Sequence, residues 1–245
     1  VPIGEVVLEA RDFSTKDKLS HCSLSVRRGE ILGLAGLMGA GRTELARAII
    51  GADPITSGEV YLNGEKLRIH SPQDAVRQGI GLLPEDRKNH GLVLGMSVEA
   101  NITLASLKKT MQNGILNAKN ENKAAEKYRE ALKINTPHLK QKVKFLSGGN
   151  QQKVVIGKWL MTSGKVLIFD EPTRGIDVAA KAEIYRIMGE LARDGMAIIM
   201  ISSELPEVLG MSDRIAVMYG GTVVGEMDRA EATQEKIMHL ATGGS

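Results

Sequence analysis

Cysteine is nearly absent. Cys22 stands alone in 245 residues, so the chain can form no internal disulfide and no cysteine-based metal site, a usage that fits a reducing compartment. The five histidines are scattered, with no pair at i, i+4, which argues against a histidine-rich metal site. Aromatic residues make up only 3%, so the core must be aliphatic and a base-stacking platform for single-stranded nucleic acid is excluded. No apolar run approaches the roughly 20 residues needed to span a bilayer; the longest, such as Val166–Phe169 and Met196–Ile201, are strand-sized. The start shows no signal-peptide pattern. A net charge of +3 is too weak a footprint for nucleic acid or an anionic membrane. What remains is ordinary globular composition, 42% hydrophobic and 25% charged, at a length that suits one large domain or one domain with an insertion. The first residue is Val rather than Met, which reads as a piece of a longer protein.

Along the chain, Val6–Ala10, Leu24–Val26 and Ile31–Ala35 read as strands, and Leu45–Ile50 as helix. Val60–Leu62 and Glu65–Ile69 flank Asn63-Gly64, the signal of a type I′ hairpin. Ser71-Pro72 starts a helix with an N-cap serine and proline at N1, and Ile80–Leu83 is a further strand. From Glu85 to Lys144 the texture turns polar and rich in Lys and Asn, with helical spacing at Ala124, Tyr128, Ala131 and Leu132; this predicts a mostly helical insertion. Val166–Phe169, Ala197–Ile201 and Ile215–Met218 then alternate with helices near Val178–Arg193 and Glu204–Leu209. That alternation predicts parallel strands with crossover helices. Trp159 and Met161 are expected in the core, and Thr242–Ser245 as a frayed end.

Three segments carry chemistry. Gly36-Leu37-Met38-Gly39-Ala40-Gly41-Arg42-Thr43 follows the strand Ile31–Ala35 and fits the phosphate-binding loop G-x-x-x-x-G-K-[ST] except that Arg42 holds the lysine position. Its glycines let backbone N–H groups form an anion nest, the next helix adds its positive end, and Thr43 offers a hydroxyl to Mg²⁺. The apolar strand Val166–Phe169 ends in Asp170-Glu171: beside a phosphate loop, Asp170 would hold Mg²⁺ through water and Glu171 would polarise an attacking water. Leu146-Ser147-Gly148-Gly149-Asn150-Gln151-Gln152-Lys153 opens a helix with donors suited to an anion.

Together these strings are specific. Leu146–Lys153 resembles the signature motif of ABC-type ATPases, and the phosphate loop, the Asp170-Glu171 strand end and Thr173–Asp177 fall in that family's order. "GLMGAGRTEL", "EDRK", "LSGGNQQK" and "DEPTRGIDV" resemble the C-terminal nucleotide-binding half of the tandem ATPase subunits of bacterial ribose, arabinose, xylose and galactose importers. The resemblance covers essentially the whole chain.

It implies an α/β fold: a single ABC-type P-loop nucleotide-binding domain over residues 1–245, with a RecA-like core, an antiparallel β part and a helical subdomain at about 86–159. It implies ATP and Mg²⁺ as cofactors. It implies as partners an N-terminal ABC half of the same polypeptide, transmembrane permease subunits reached through Pro84–Lys88 and, indirectly, a periplasmic sugar-binding protein, at the cytoplasmic face of the inner membrane. Three positions depart from the family pattern. Arg42 replaces Lys, and its planar head fits a loop built round an ammonium poorly. Glu85 takes the place of a Gln that would reach the nucleotide. Ser203 takes the place of a catalytic His. Phe13 is the one nearby aromatic that could stack on adenine, and a core or hairpin role for it is an equal reading. In the family each ATP site takes its phosphate loop from one half and its signature from the other. The resemblance therefore implies two unequal sites, with Ser147, Gly148, Gly149 and Asn150 completing the better one on the partner half. Two rival functions remain: a non-transport ABC ATPase acting on translation or DNA, disfavoured by the lack of sustained heptads and by the low charge, and a regulatory nucleotide sensor, favoured by Arg42 and Ser203.

Overall fold

A computed structural model describes residues 2–244. The chain divides into two compact units: Val1–Leu82 with Lys165–Pro172 and Met188–Ser245, and Leu83–Gly164 with Thr173–Ile187.

The first unit holds two sheets. Strands β1 (Val6–Ser14), β2 (Cys22–Arg27), β4 (Ser57–Leu62) and β5 (Glu65–Leu67) form an antiparallel sheet in the order β2-β1-β4-β5. The β4–β5 turn uses Asn63 and Gly64, both at positive φ, as the hairpin signal requires. The second sheet runs β12-β11-β3-β10-β9-β6. Here β3 (Ile31–Gly36), β9 (Val166–Asp170), β10 (Ala197–Ile201) and β11 (Arg214–Tyr219) are parallel neighbours, with β6 (Ile80–Leu83) at one edge. β9 and β10 are buried at every residue, the pattern of strands covered on both faces.

At the other edge, β12 (Thr222–Asp228) pairs antiparallel with β11 across a turn at Gly220-Gly221, and α8 (Gln234–Ala241) follows. The sequence reading assigns neither element, because β12 is an edge strand of mostly half-exposed residues whose few apolar positions make no clear alternation. Past α8, Thr242, Gly243 and Gly244 all hydrogen-bond back to the helix, so the expected fraying does not hold there; Ser245 lies outside the described residues.

Leu8, Phe13, Leu24, Leu34, Leu45, Ile49, Ile168 and Ile199 belong to one aliphatic core between these layers. Phe13 is fully buried there, its ring about 3.0 Å from the place a Cβ would occupy on Gly58. It cannot stack on a base; of the two sequence readings the core one holds.

In the second unit, one π-helical turn (Arg87–Gly91) follows β6. Then come α3 (Val98–Thr103), a small hairpin of β7 (Met111–Gln112) and β8 (Ile115–Leu116), α4 (Ala118–Ala131) and α5 (Gly148–Met161). The hairpin turns at Asn113 and Gly114, a turn signal that the polar texture of the insertion hid. α3 packs on α4 and α5. On α4 Ala125 is buried, while Ala131 is exposed rather than packed, which explains why this helix reads as polar. Met161 is buried, but Trp159 is only half-buried. Helix α6 (Val178–Arg193) begins in this unit and ends in the first. Among the described residues no helix is long and apolar enough to cross a membrane.

Candidate functional site

The loop from Gly36 to Gly41 connects the end of β3 to helix α1 (Arg42–Ile49). Gly41 is the N-cap of α1 at φ 103°, and no side chain caps the helix, so its first N–H groups remain available to an anion. A Cβ on Gly41 would lie 3.1 Å from Leu19 and 3.3 Å from the Gly221 backbone; only glycine satisfies both the dihedral and the space. Leu37 and Met38 at the tip are exposed.

Behind the loop, Thr43 Oγ1 donates to Asp170 Oδ1 at 3.2 Å. Asp170 is 2% exposed at the end of β9. Burial raises its carboxyl to about 6, Glu171 adds to the rise, and the Thr43 hydrogen bond and the Arg42 charge oppose it. A buried carboxylate short of counter-charge beside a hydroxyl is a hard-oxygen set that suits Mg²⁺, which takes few protein ligands and completes its shell with water and phosphate. Thr43 and Asp170 are the pair that would hold such an ion; among the described residues no group of three or more His, Cys, Asp or Glu side chains is placed to hold a metal.

Glu171 sits just beyond β9 at φ 48°, a left-handed conformation that is strained for a non-glycine residue and is found preferentially at functional positions. Its N–H donates to the Ile201 carbonyl at 2.9 Å, and Ser203 Oγ donates to its Oε2 at 3.2 Å. Glu171 and Ser203, 32 residues apart, are thus brought together. Arg42 is bound beside them: its Nη1 donates to the Ser202 carbonyl at 2.7 Å, and its side chain is buried.

The second unit carries a separate cluster. Ser147 N-caps α5. Gly149 lies so close to α6 that a Cβ would sit 2.5 Å from that of Ala180. A cleft of about 260 Å³ opens here, bordered by Ser147, Gly149, Asn150, Lys153 and Asp177. Lys153 is buried, pairs with Glu183 and donates to the Lys133 carbonyl. Glu85 pairs with Arg174; its carboxylate is engaged inside this unit.

The family model described as ABC transporter matches residues 19–174. The chain belongs to the ABC transporter family. It is 56% identical over 241 residues to ribose import ATP-binding protein RbsA 3 of Rubrobacter xylanophilus, a match that covers 98% of this chain and 48% of that protein. It is 54% identical over 244 residues to a Rhizobium etli protein named for ribose, galactose and methyl galactoside import, covering 100% of this chain and 47% of that one. The chain thus spans about half the length of these relatives. Its fold is that of an ATP-binding cassette of an ABC transporter solved in an ADP conformation, with a TM-score of 0.79 at 23% identity over 97% of this chain and 95% of that one. A dimeric cassette bound to ADP and phosphate gives 0.77 at 21% identity, over 91% and 98%.

Within this ABC domain three contacts escaped the sequence reading. Gln151 accepts from Arg87 Nε at 3.4 Å, Asn135 binds the start of α5 through Asn150, and Ala180 seals the back of Gly149. No local signal could have revealed them, since each acts through a partner at least 15 residues away.

Proposed function

We propose that this chain is one ATP-binding half of a two-cassette subunit that drives import of a monosaccharide, a pentose or hexose, across the bacterial inner membrane. It works peripherally on the cytoplasmic face against permease subunits that receive sugar from a periplasmic binding protein. Its relatives' names support the substrate class, and the half-length match supports a second cassette in the same polypeptide. Within that subunit its main task is to present Ser147–Asn150 to the nucleotide held by the N-terminal half.

One observation carries the division of labour. Arg42, which would have to contact phosphate, is bound to the Ser202 carbonyl, whereas the start of α5 borders an open cleft. In the chain's own loop, backbone N–H groups of Gly36–Gly41 would receive ATP phosphates, and Thr43 and Asp170 would hold Mg²⁺. The ion would neutralise phosphate charge there. Glu171 would orient water, with Ser203 fixing the carboxylate. Closing the two halves on ATP would then move the membrane subunits. A regulatory nucleotide-binding role with little hydrolysis is the second reading, favoured by the same Arg42 contact.

The test is steady-state ATP turnover of this chain alone and with its N-terminal half. Alone it should be a poor ATPase, because self-pairing sets its signature against an Arg42 loop. Turnover should rise on mixing. Equal rates would overturn the division of labour, and no turnover in either sample would favour the regulatory reading.

A further inference from the structure

The side chain of Asn150 is held at both ends. Its Oδ1 accepts from the Asn135 backbone N–H at 2.8 Å, and its Nδ2 donates to Ser147 Oγ at 2.9 Å. The amide cannot be turned round: a backbone nitrogen only donates, so the carbonyl end must face Asn135 and the NH₂ end must face Ser147. Ser147 Oγ also accepts from the Asn150 backbone N–H, at 3.5 Å, as N-cap of α5.

A hydroxyl has two lone pairs and one proton. Both lone pairs of Ser147 are taken by Asn150, one by its backbone and one by its side chain. What is left is the proton, and among the described residues it is donated to no protein atom. Ser147 borders the cleft that Gly149 and the buried cation Lys153 also line, where an anion's oxygen would meet it. Asn150 is at the third helical position, where a longer side chain commonly reaches back to the N-cap backbone. Here a short one reaches the N-cap hydroxyl instead.

We propose that Asn150 is a positioning residue: its amide blocks the acceptor side of Ser147 Oγ and so presets the hydroxyl as a donor to a phosphate oxygen of the nucleotide held by the partner cassette. This rests on the reading that the start of α5 faces that nucleotide. An alanine at 150 would free one lone pair and let the hydroxyl rotate. An aspartate would present an acceptor and draw the proton inward.

The test is a double-mutant cycle in the natural polypeptide with both cassettes, reading kcat and KM for MgATP together with the thermal midpoint. Ser147→Ala removes a hydrogen bond to a charged group and should lower kcat/KM by roughly tenfold or more. Asn150→Ala should cost about fivefold in the native background and almost nothing in the Ser147→Ala background, because residues that act through one contact are non-additive. If Asn150→Ala costs the same in both backgrounds, it merely tethers Asn135 and the inference fails while the proposed function stands. If Ser147→Ala leaves turnover unchanged, the reading that α5 faces the nucleotide fails, and the inference with it. Should Asn150→Ala not fold, Asn150→Asp runs the same cycle; it is isosteric and keeps the Asn135 bond, and the effect of its charge, common to both backgrounds, cancels. Coupling of fivefold or more supports the proposal, and additivity overturns it.

Discussion

Arg87 and Arg174 hold each other's loops. Arg87 Nη1 donates to the Arg174 carbonyl at 2.8 Å and its Nη2 to the Gly175 carbonyl at 3.2 Å, while the Arg174 guanidinium pairs with Glu85, two residues before Arg87. Gly148 leaves room for this: a Cβ there would stand 2.6 Å from Arg87 Nη2. The charged stretch Pro84–Lys88 is therefore partly turned inward, onto the loop that follows Asp170 and Glu171. The family resemblance reads this stretch as a membrane-subunit contact; the geometry adds a mechanical link.

That link predicts uncoupling. Arg87→Glu sets a carboxylate against two carbonyls and beside Glu85. Sugar uptake by the complete transporter should fall at least about tenfold while ATPase activity of the paired halves stays near normal, as expected when a packed two-state connection is cut. Arg174→Ala should act in the same direction, because it removes the other half of the link. Equal loss of uptake and hydrolysis would instead show that the 173–177 loop supports the nucleotide site itself.

Gly149 and Arg42 should differ sharply. Gly149→Asp brings a negative charge to a helix start that, under the proposed function, meets phosphate, and its Cβ collides with Ala180. Uptake should drop by several orders of magnitude, in line with the roughly 10³–10⁵ lost when phosphoryl-transfer groups are misplaced. Gly149→Ala separates the causes: with no charge, it should still be impaired through the 2.5 Å contact alone. Arg42→Ala leaves the buried Ser202 carbonyl without its partner, so it should cost about 1–3 kcal/mol of stability and about a tenfold loss of uptake. If Arg42→Ala matches Gly149→Asp in uptake at equal expression, the Arg42 loop is a working site.

Asp170 makes stability depend on pH. Burial raises its carboxyl from 3.8 to about 6, so the folded state holds the proton more tightly than the unfolded chain. The stability from this proton is full below about pH 4 and is lost as pH rises through about 6. Asp170→Asn removes the charge but retains an acceptor for Thr43. At pH 7 it should be more stable than the native chain by up to about 3 kcal/mol, from two units at about 1.4 each. The gain should vanish near pH 3.5, and the low Mg²⁺-dependent turnover of the isolated chain should be lost. Denaturant unfolding at the two pH values checks the first part, and a Mg²⁺ titration of turnover the second.

Lys158 carries the opposite signature. It is buried on α5, donates to the Gly91 carbonyl at the end of the π-helical turn, and is pulled by burial from 10.5 to about 8. Between pH 8 and 10.5 the unfolded chain binds more protons than the folded one, so this group makes stability rise with pH across that window. Lys158→Met should abolish the rise in unfolding free energy measured between pH 8 and pH 10.

What the sequence determined by itself is whatever depends on contiguous backbone. The loop Gly36–Thr43, the strand end at Asp170-Glu171 and the helix start at Ser147 could be read because adjacent residues, through backbone dihedrals and N–H direction, define each of them. The fully apolar strands were legible for the same reason, since burial on both faces leaves no polar positions to blur the pattern. Only the tertiary structure could decide the partners. Arg42 finds Ser202 160 residues away, Asn150 finds Asn135 across the turn between two helices, and Gly149 must be bare because α6 returns against it. Phe13, which one sequence left open between a base-stacker and a core residue, is sealed by β4. Side-chain commitments of this kind are set by which surfaces packing brings together, and local propensity contains no record of them.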